Sequence, residues 1–261
     1  MALVTTAAVV LQTYRYSETS KIVRLATREL GVQSAIAKGV LRPKSRFGAG
    51  LEFLSEGEVQ LYYRDTRELH TLAVFDVTNL RRGLASDIAR LAGAAALSQV
   101  MFKMAPPAAL PSAYYVFTSG LDLLASVPTA AVDAAALRAL WALVTELGFG
   151  PSLQACVRDG APVGTEGEER IAFSAGEGGV LCARCAAGQS PTRLPSEDYR
   201  DLLALNDPTL ELPSLDAPHA AAHRRLAARF VRHHLDAVSL SALDFWERSA
   251  WAQLHPPAAI L

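Results

Sequence analysis

The sequence predicts an α+β protein in which an N-terminal five-stranded barrel precedes a helical domain with a cysteine-containing insertion. Apolar residues alternate with a period of two over roughly the first 80 residues, as in half-buried strands. From Asn79 onward they recur with the 3.6-residue period of helices. All three cysteines lie in a later stretch where neither period holds. We therefore expect a barrel domain over residues 1–80 and a helical domain over 81–261, with the insertion at about 150–190.

The first part contains five short segments rich in β-branched and alternating residues. The predicted strands are Leu3–Thr13, Lys21–Thr27, Val32–Lys38, Gly57–Tyr63 and Leu69–Val77. A tight turn ending at Gly31, which can adopt a positive φ, joins the second strand to the third. Because closure removes the unpaired edges of short strands, the arrangement favours a closed barrel of the OB type, a fold that binds oligonucleotides.

The later part is helical in pattern and alanine-rich, and alanine is the best helix former. The predicted helices are Ser86–Met104, Ala113–Ser126, Asp133–Leu147, Glu197–Leu205, Ala217–Leu235 and Leu240–Trp246. Small residues on the faces of the first three allow close approach, which predicts a helix bundle. Between the third and fourth helices, the segment from Gly150 to Gly188 looks irregular.

Composition excludes several classes of protein. The chain has 261 residues, a net charge of −1, 51% hydrophobic residues and 20% charged residues, which is typical of a folded protein and not of a disordered one. No apolar run reaches the ~18 residues needed to cross a bilayer. The first residues do not resemble a secretion signal, and three cysteines are too few for a disulfide scaffold. We expect a cytoplasmic protein with no membrane partner.

A basic loop follows the third predicted strand. Between Arg15 and Arg46 the chain carries eight basic residues and two acidic ones, and local charge of this kind attracts polyanions. The loop itself holds four cations without an acid, and these are the candidate nucleic-acid contacts: Lys38, Arg42, Lys44 and Arg46. Phe47 could stack on a base. The alternative is a solvated loop whose charges serve only solubility.

A second basic stripe lies on the late helix. Arg225, Arg229 and Arg232 recur at i, i+4 and i+7, so they share one face, and their mutual repulsion would be relieved by a polyanion. The alternative is a stripe paired with acids elsewhere, such as those of Glu166–Glu169. The histidines of this helix are expected to be surface groups and not metal ligands, although His219 and His223 have i, i+4 spacing.

The cysteines form two knuckle-like motifs, Cys156-Val-Arg-Asp159 and Cys182-Ala-Arg-Cys185. Two such knuckles are typical of a structural zinc site, and aspartate can replace a thiolate as the ligand. Zinc bound by Cys156, Asp159, Cys182 and Cys185 would have a net charge of about −2. A metal-free knuckle and a redox dithiol stay open as alternatives, although no thioredoxin-like context is evident.

Catalytic motifs are absent from the sequence. It contains no G-x-S-x-G, no P-loop, no H-E-x-x-H and no G-x-G-x-x-G pattern. We therefore expect a binding protein and not an enzyme.

The residues from Ala37 to Glu52, continuing to Gly57-Glu58, resemble the signature of the RecO family of bacterial recombination-repair mediators. In that signature a basic loop leads into the fourth barrel strand. The opening strand followed by Tyr14 to Val23 is similar to the start of the family, as is the order of barrel, helices, knuckles and helix. Asp159 departs from the family's four-cysteine pattern.

The resemblance implies an OB-fold domain on a helical, zinc-finger-bearing domain. It also implies binding to single- and double-stranded DNA, annealing of complementary strands, and partnership with RecR. Binding of the C-terminal tail of the single-stranded DNA-binding protein and help in loading RecA belong to the same set, as does association with the nucleoid. The alternatives are an OB-fold RNA-binding module, which would use the 2′-hydroxyl, and a protein-interaction module whose basic groove takes an acidic peptide.

Overall fold

The computed structural model describes residues 2–45, 47, 50–106, 108–164, 169–235 and 239–248. The predicted contact Arg46 and the tail at His255-Pro256-Pro257 lie outside the described residues. No helix of the described chain is long and apolar enough to cross a membrane.

The N-terminal part is a closed five-stranded barrel, as predicted. The strands are β1 (Ala2–Arg15), β2 (Lys21–Thr27), β3 (Gly31–Ala37), β4 (Glu56–Tyr63) and β5 (Leu69–Asn79). They follow the order β1-β2-β3-β5-β4, and β4 returns to pair with β1. Only the β3–β5 pairing is parallel. Gly31 has a φ of 70° at the β2–β3 turn, as its position in the sequence predicts.

Alternate residues of the strands fill the barrel interior. Val23, Leu25, Val59, Leu61 and Leu72 are completely buried there. The other alternation phase of β1 and β2 is also buried over part of its length, because the helices cover it. Val9, Leu11 and Ala26 thus belong to the core of the helical part although they lie on barrel strands.

The C-terminal part is built from seven helices among the described residues. They are α1 (Ile88–Met104), α2 (Pro111–Ser126), α3 (Val132–Val144), α4 (Ala183–Ala186), α5 (Ser196–Asn206), α6 (Ala217–His234) and α7 (Ser241–Arg248). The Asp87 side chain accepts a hydrogen bond of 2.7 Å from the Ala89 N–H and caps α1. α3 ends earlier than predicted because Thr145–Phe149 forms a wider turn containing Gly148 at a φ of 90°.

Small residues bring α1, α2 and α3 together, as the composition predicts. A Cβ at Gly120 of α2 would lie 2.9 Å from the Ala139 Cβ of α3, so only glycine allows this approach. Around this contact, Trp141, Phe230 and Trp246 are almost completely buried. Burying an aromatic side chain of this size contributes roughly 1.5–3 kcal/mol.

The segment from Gly150 to Gly188 is irregular over residues 150–164, as expected, but its later part is not. β6 (Arg170–Ser174), β7 (Gly179–Leu181) and β8 (Thr192–Pro195) form a three-stranded antiparallel sheet in the order β7-β6-β8. These strands have three to five residues, too short for an alternation to stand out. Phe173 of β6 lies 6.0 Å, between ring centroids, from Phe230 of α6, so the sheet packs on the bundle.

Arg81 ties the barrel to the helices. Its guanidinium is buried and pairs with Glu56 of β4 and with Asp122 of α2, the latter at 2.7 Å. Tyr114 of α2 donates a 2.6 Å hydrogen bond to the second oxygen of the Glu56 carboxylate. The Ser98 hydroxyl of α1 donates to the Leu11 carbonyl of β1 at 3.2 Å. The two parts therefore share polar contacts as well as apolar core.

Candidate nucleic-acid interface and metal centre

The predicted basic loop lies at the end of the barrel where β1 ends and β2 begins. Across the sheet, Arg15 of β1 lies opposite Lys21 of β2, and Lys21 lies opposite Ala37 of β3. Lys38 follows Ala37 directly, so it lies at the same end of the barrel. The hairpin register thus adds Arg15 and Lys21 to the cations that the sequence singled out.

The loop is fixed against the β1–β2 turn by its backbone. The Leu41 N–H donates to the Thr19 carbonyl at 3.0 Å, and the Arg42 N–H donates to the Gly39 carbonyl at 3.1 Å. Gly39 has a φ of 72°, which glycine adopts without strain. The side chains of Lys38, Arg42 and Lys44 are exposed. The structure therefore brings three predicted contact residues to one end of the barrel.

Phe47 does not fit the role expected from the sequence. Only 4% of this residue is exposed, and it belongs to the interior cluster of the barrel with Leu51 and Phe75. A buried ring cannot stack on a base, so that prediction is wrong. The exposed aromatic residues near this end are Tyr14 and Tyr16, at 47% and 57% exposure.

A partly apolar outer face continues from Tyr14 around the barrel. In the ladder Tyr14 lies opposite Ile22, which lies opposite Ile36, and Ile36 lies opposite Thr71. Ile22, Ile36 and Thr71 are half-buried and not covered by the helical core. Stacking surface beside cations is what non-specific binding of a single strand requires.

At the edge of this face the barrel approaches the end of α1. The Arg24 guanidinium lies 5.4 Å from the centre of the Phe102 ring, and the Lys103 ammonium lies 5.2 Å from the same centre. Such cation–π contacts hold both charges near the barrel wall. The basic surface therefore extends beyond the loop onto the first helix.

The arginines of α6 fall into three different environments. Arg225 and Arg229 are exposed, and Arg229 donates to the Thr192 hydroxyl at 3.3 Å. Arg232 pairs with Asp244, at 2.7 Å, and with Glu247 of α7. Arg224 is buried and pairs with Asp133. The carboxylate partners of Arg224 and Arg232 come from α3 and α7. Residues 165–168 of the acidic segment considered above lie outside the described range.

Beside this helix lies a surface cavity of about 500 Å³. Its walls combine four arginines, two carboxylates and apolar groups from β8 and α6. The lining includes Arg193, Leu194, Pro195, Asp198, His223, Arg225, Leu226, Arg229, Arg232 and Glu247.

The expectation that the α6 histidines are surface groups is wrong for His223. This residue is 2% exposed and faces the carboxylate of Asp198, with 3.7 Å between Nε2 and Oδ1. Burial lowers the pKa of His223. The sequence could not reveal this contact, because Asp198 lies on α5, 25 positions earlier in the chain.

The two knuckles come together as predicted. The ligand atoms of Cys156, Asp159, Cys182 and Cys185 all lie within 4.8 Å of one another. Asp159 Oδ2 is 3.4 Å from Cys182 Sγ and 3.2 Å from Cys185 Sγ. Ligands of one tetrahedral zinc, with bonds of about 2.3 Å to sulfur and 2.0 Å to oxygen, lie about 3.5 Å apart. The cluster could therefore hold a metal ion.

Backbone N–H groups point at the sulfur atoms, as in metal knuckles. The Cys185 N–H donates to Cys182 Sγ at 3.4 Å. Burial opposes the ionisation of Cys156, but backbone hydrogen bonds from Cys182 and Arg158 lower the pKa of this thiol. At Cys185 a hydrogen bond to the Asp159 carboxylate raises the pKa to about 12.

Each knuckle also contains an arginine. Arg184 Nη2 lies 2.7 Å from Asp159 Oδ2 and holds the pKa of that carboxyl well below its usual range. The charge of Arg158 interacts favourably with Cys185 and Cys156. The Arg184 guanidinium thus offsets part of the negative charge that three thiolates and a carboxylate would leave on a bound Zn²⁺, whereas Arg158 also pairs with Glu177, with 3.1 Å between its Nε and Oε2. The sequence contained this signal, in Cys-Val-Arg-Asp and Cys-Ala-Arg-Cys.

Comparison with known proteins assigns both parts of the chain to one family description. The family model described as "Recombination protein O N terminal" matches residues 1–81, and "Recombination protein O C terminal" matches residues 85–244. The protein named "DNA repair protein RecO" of Anaeromyxobacter sp. (strain K) is 34% identical over 238 residues, covering 87% of this chain and 89% of that protein. A protein of the same name from Rubrobacter xylanophilus is 30% identical over 246 residues, covering 92% and 96%.

Proposed function

The chain belongs to the RecO family of DNA repair proteins, which are recombination mediators and not catalytic enzymes, and we propose that it binds single- and double-stranded DNA at the loop end of its barrel and anneals complementary strands. The observation that carries this proposal is the meeting of Arg15, Lys21, Lys38, Arg42 and Lys44 at one end of the barrel. Arg46 belongs to the same loop.

Annealing requires no bond chemistry. Two polyanionic strands must be held close together while their repulsion is reduced and their bases stay accessible. The cations neutralise phosphates and release counterions, and Tyr14 with the neighbouring apolar face offers a stacking surface. The exposed Arg225 and Arg229 provide a second basic surface on α6, and Arg232 joins it when its pairs with Asp244 and Glu247 open.

The test is a salt titration of DNA binding by fluorescence anisotropy. The double variant Lys38→Glu with Arg42→Glu is expected to lose at least about tenfold in affinity for a single strand. Its plot of log affinity against log salt should become shallower by about 1.4, because two phosphate contacts are lost.

The matched control is Arg82→Glu with Arg200→Glu, which changes the net charge equally at two exposed positions elsewhere. This control should keep the wild-type slope. Equal losses in both double variants would mean that overall charge governs binding, and the loop would lose its assigned role.

We further propose that the cavity beside α6 receives the C-terminal tail of the single-stranded DNA-binding protein. An acidic peptide with an apolar end fits arginines Arg193, Arg225 and Arg229 above the apolar Leu194 and Leu226. Arg229→Glu should weaken binding of such a peptide, and Arg200→Glu should not. Competition with an oligonucleotide shows whether one site or two are used.

With RecR, the protein is proposed to help load RecA onto DNA coated with the single-stranded DNA-binding protein. Annealing of complementary oligonucleotides coated in this way is the direct assay, with and without RecR. The same proposal places the protein in the cytoplasm at the nucleoid. Residues 1–80 would form the DNA-binding domain and residues 81–261 the helical domain.

Structural zinc in the Cys156–Asp159–Cys182–Cys185 cluster completes the proposal. Arg184 supports it, because its guanidinium offsets part of the negative charge of the loaded site. In metal analysis of the purified protein, Cys182→Ser with Cys185→Ser should lower the zinc content by one equivalent.

The second candidate is an OB-fold RNA-binding module, favoured by the same barrel and cations. An RNA strand that binds more tightly than its matched DNA at equal salt would favour it, since the 2′-hydroxyl distinguishes them. A protein-interaction module would bind the acidic peptide and neither nucleic acid.

A further inference from the structure

We propose that Asp198, Asp201, His219 and His223 form a second metal site, separate from the cysteine cluster, which binds a divalent cation of the zinc type between α5 and α6. The proposal does not depend on DNA binding.

The spacing on both helices directs the four side chains to one place. Asp198 and Asp201 are three residues apart on α5, and His219 and His223 are four apart on α6, so each pair shares a helix face. Ligand atoms of Asp198, Asp201 and His223 lie within 4.8 Å of one another. His219 Nε2 lies 4.0 Å from Asp198 Oδ1, at the open side of this group.

Two buried atoms of the cluster have no hydrogen-bond partner. Asp198 is 8% exposed and His223 is 2% exposed, yet neither Asp198 Oδ1 nor His223 Nε2 makes a hydrogen bond within the described chain. An unpaired buried polar atom costs roughly 1–3 kcal/mol. The 3.7 Å between them is too long for a hydrogen bond. It is close to the roughly 3.3 Å between two ligands of one tetrahedral ion.

His219 is oriented as a metal-bound imidazole usually is. Its Nδ1 lies 2.7 Å from Asp216 Oδ1, and the same oxygen caps α6 by accepting from the His219 N–H at 2.9 Å. A carboxylate on one ring nitrogen leaves the other with its lone pair free to bind metal. Asp216 would therefore hold the ring in place without touching the ion.

The donor set selects the class of cation. Two carboxylates balance the charge of a divalent ion, and two imidazoles favour zinc over magnesium or calcium, which prefer oxygen ligands. Asp198 and His223 line the cavity beside α6, which gives the ion a route from solvent.

The test is a titration of the chelator-treated full-length protein with Co²⁺, read by absorption spectroscopy. Sulfur ligands give an intense ligand-to-metal charge-transfer band, and the proposed site, which has only nitrogen and oxygen ligands, gives ligand-field bands alone. We expect the variant Cys182→Ser with Cys185→Ser to lose the charge-transfer band and still bind one equivalent of Co²⁺.

In that background His223→Gln should weaken binding of this equivalent at least about tenfold. The matched control His233→Gln removes an exposed histidine of the same helix and should not weaken it. Because His223 is buried, the half-buried Asp201→Asn provides a second variant, with the fold checked by circular dichroism. Absence of this equivalent, or its undiminished binding in either variant, would overturn the proposal.

Discussion

Basic side chains collect at two places in the molecule, and the two places treat their charges differently. At the barrel end, Lys38, Arg42 and Lys44 form no ion pair with any described residue. On α6, Arg232 is held by two carboxylates of α7 and Arg224 by Asp133. The number of arginines in a segment therefore does not give the positive charge available to a ligand, because carboxylates elsewhere in the fold pair with some of them. The cations of the barrel end remain unpaired among the described residues, whereas two of the four arginines of α6 form ion pairs that stabilise the fold.

The largest effect is expected at the buried pair of α6. Asp133→Ala removes the carboxylate that pairs with Arg224, whose side chain is 4% exposed, while that of Asp133 is 27% exposed. Breaking a fully buried pair costs about 3–5 kcal/mol, and the partial exposure of Asp133 reduces the expected loss to about 2–3 kcal/mol. Urea denaturation measures it. If the free energy of unfolding changes by no more than it does for a surface substitution, the ion pair of Arg224 does not stabilise the fold.

Removing the carboxylate partners of Arg232 should leave its charge unpaired, like the charges at the barrel end. Asp244→Asn with Glu247→Gln removes both partners, so affinity for DNA at low salt should rise about threefold to tenfold, with a salt slope steeper by about one. Anisotropy titration measures both quantities. The control Glu146→Gln with Glu211→Gln removes the same charge elsewhere in the helical part. If this control raises affinity equally, Arg232 is not a contact.

Acid should affect the barrel through His70. This residue is buried, its Nε2 lies 2.9 Å from Gln33 Oε1, and burial lowers the pKa of its imidazole. The unfolded chain therefore takes up a proton more readily, so stability falls as pH drops through about 6.5 and levels off below the folded-state pKa. His70→Phe should reduce this pH dependence in thermal melts. An unaltered dependence would assign it to the helical histidines instead.

The smallest effect on stability is expected at the barrel cations. Lys44→Ala should change the free energy of unfolding by less than about 0.5 kcal/mol, because the side chain is exposed. The same substitution should make the salt dependence of single-strand binding shallower by about 0.7 in the slope of log affinity against log salt. A measurable loss of stability with an unchanged slope would mean that Lys44 stabilises the fold and does not contact DNA.

The sequence predicted the elements that repeat over several turns or strand residues. All five barrel strands and α6 lie within about two residues of their predicted bounds, because one buried face imposes its period on the chain. The sheet of β6, β7 and β8 was not predicted, because strands of three to five residues are too short to show an alternation of polar and apolar residues. Phe47 was misjudged because a loop residue can fold back into the barrel.

The site residues show the same division. The knuckle ligands could be predicted, because spacing along the chain decides which atoms can share an ion. Lys21 beside Arg15 follows from hairpin register, a signal that the sequence contained. The contact between Asp198 and His223 depends on how α5 packs against α6, which no local pattern encodes.

Val9, Leu11, Ala26 and Leu54 lie on the barrel side of the molecule yet are buried in the helical core. A fragment cut after residue 80 would carry this apolar strip into water. Such fragments should self-associate through the strip, hiding the wall that α1 normally covers. The helices thus cover one side of the barrel and leave the opposite side exposed to solvent.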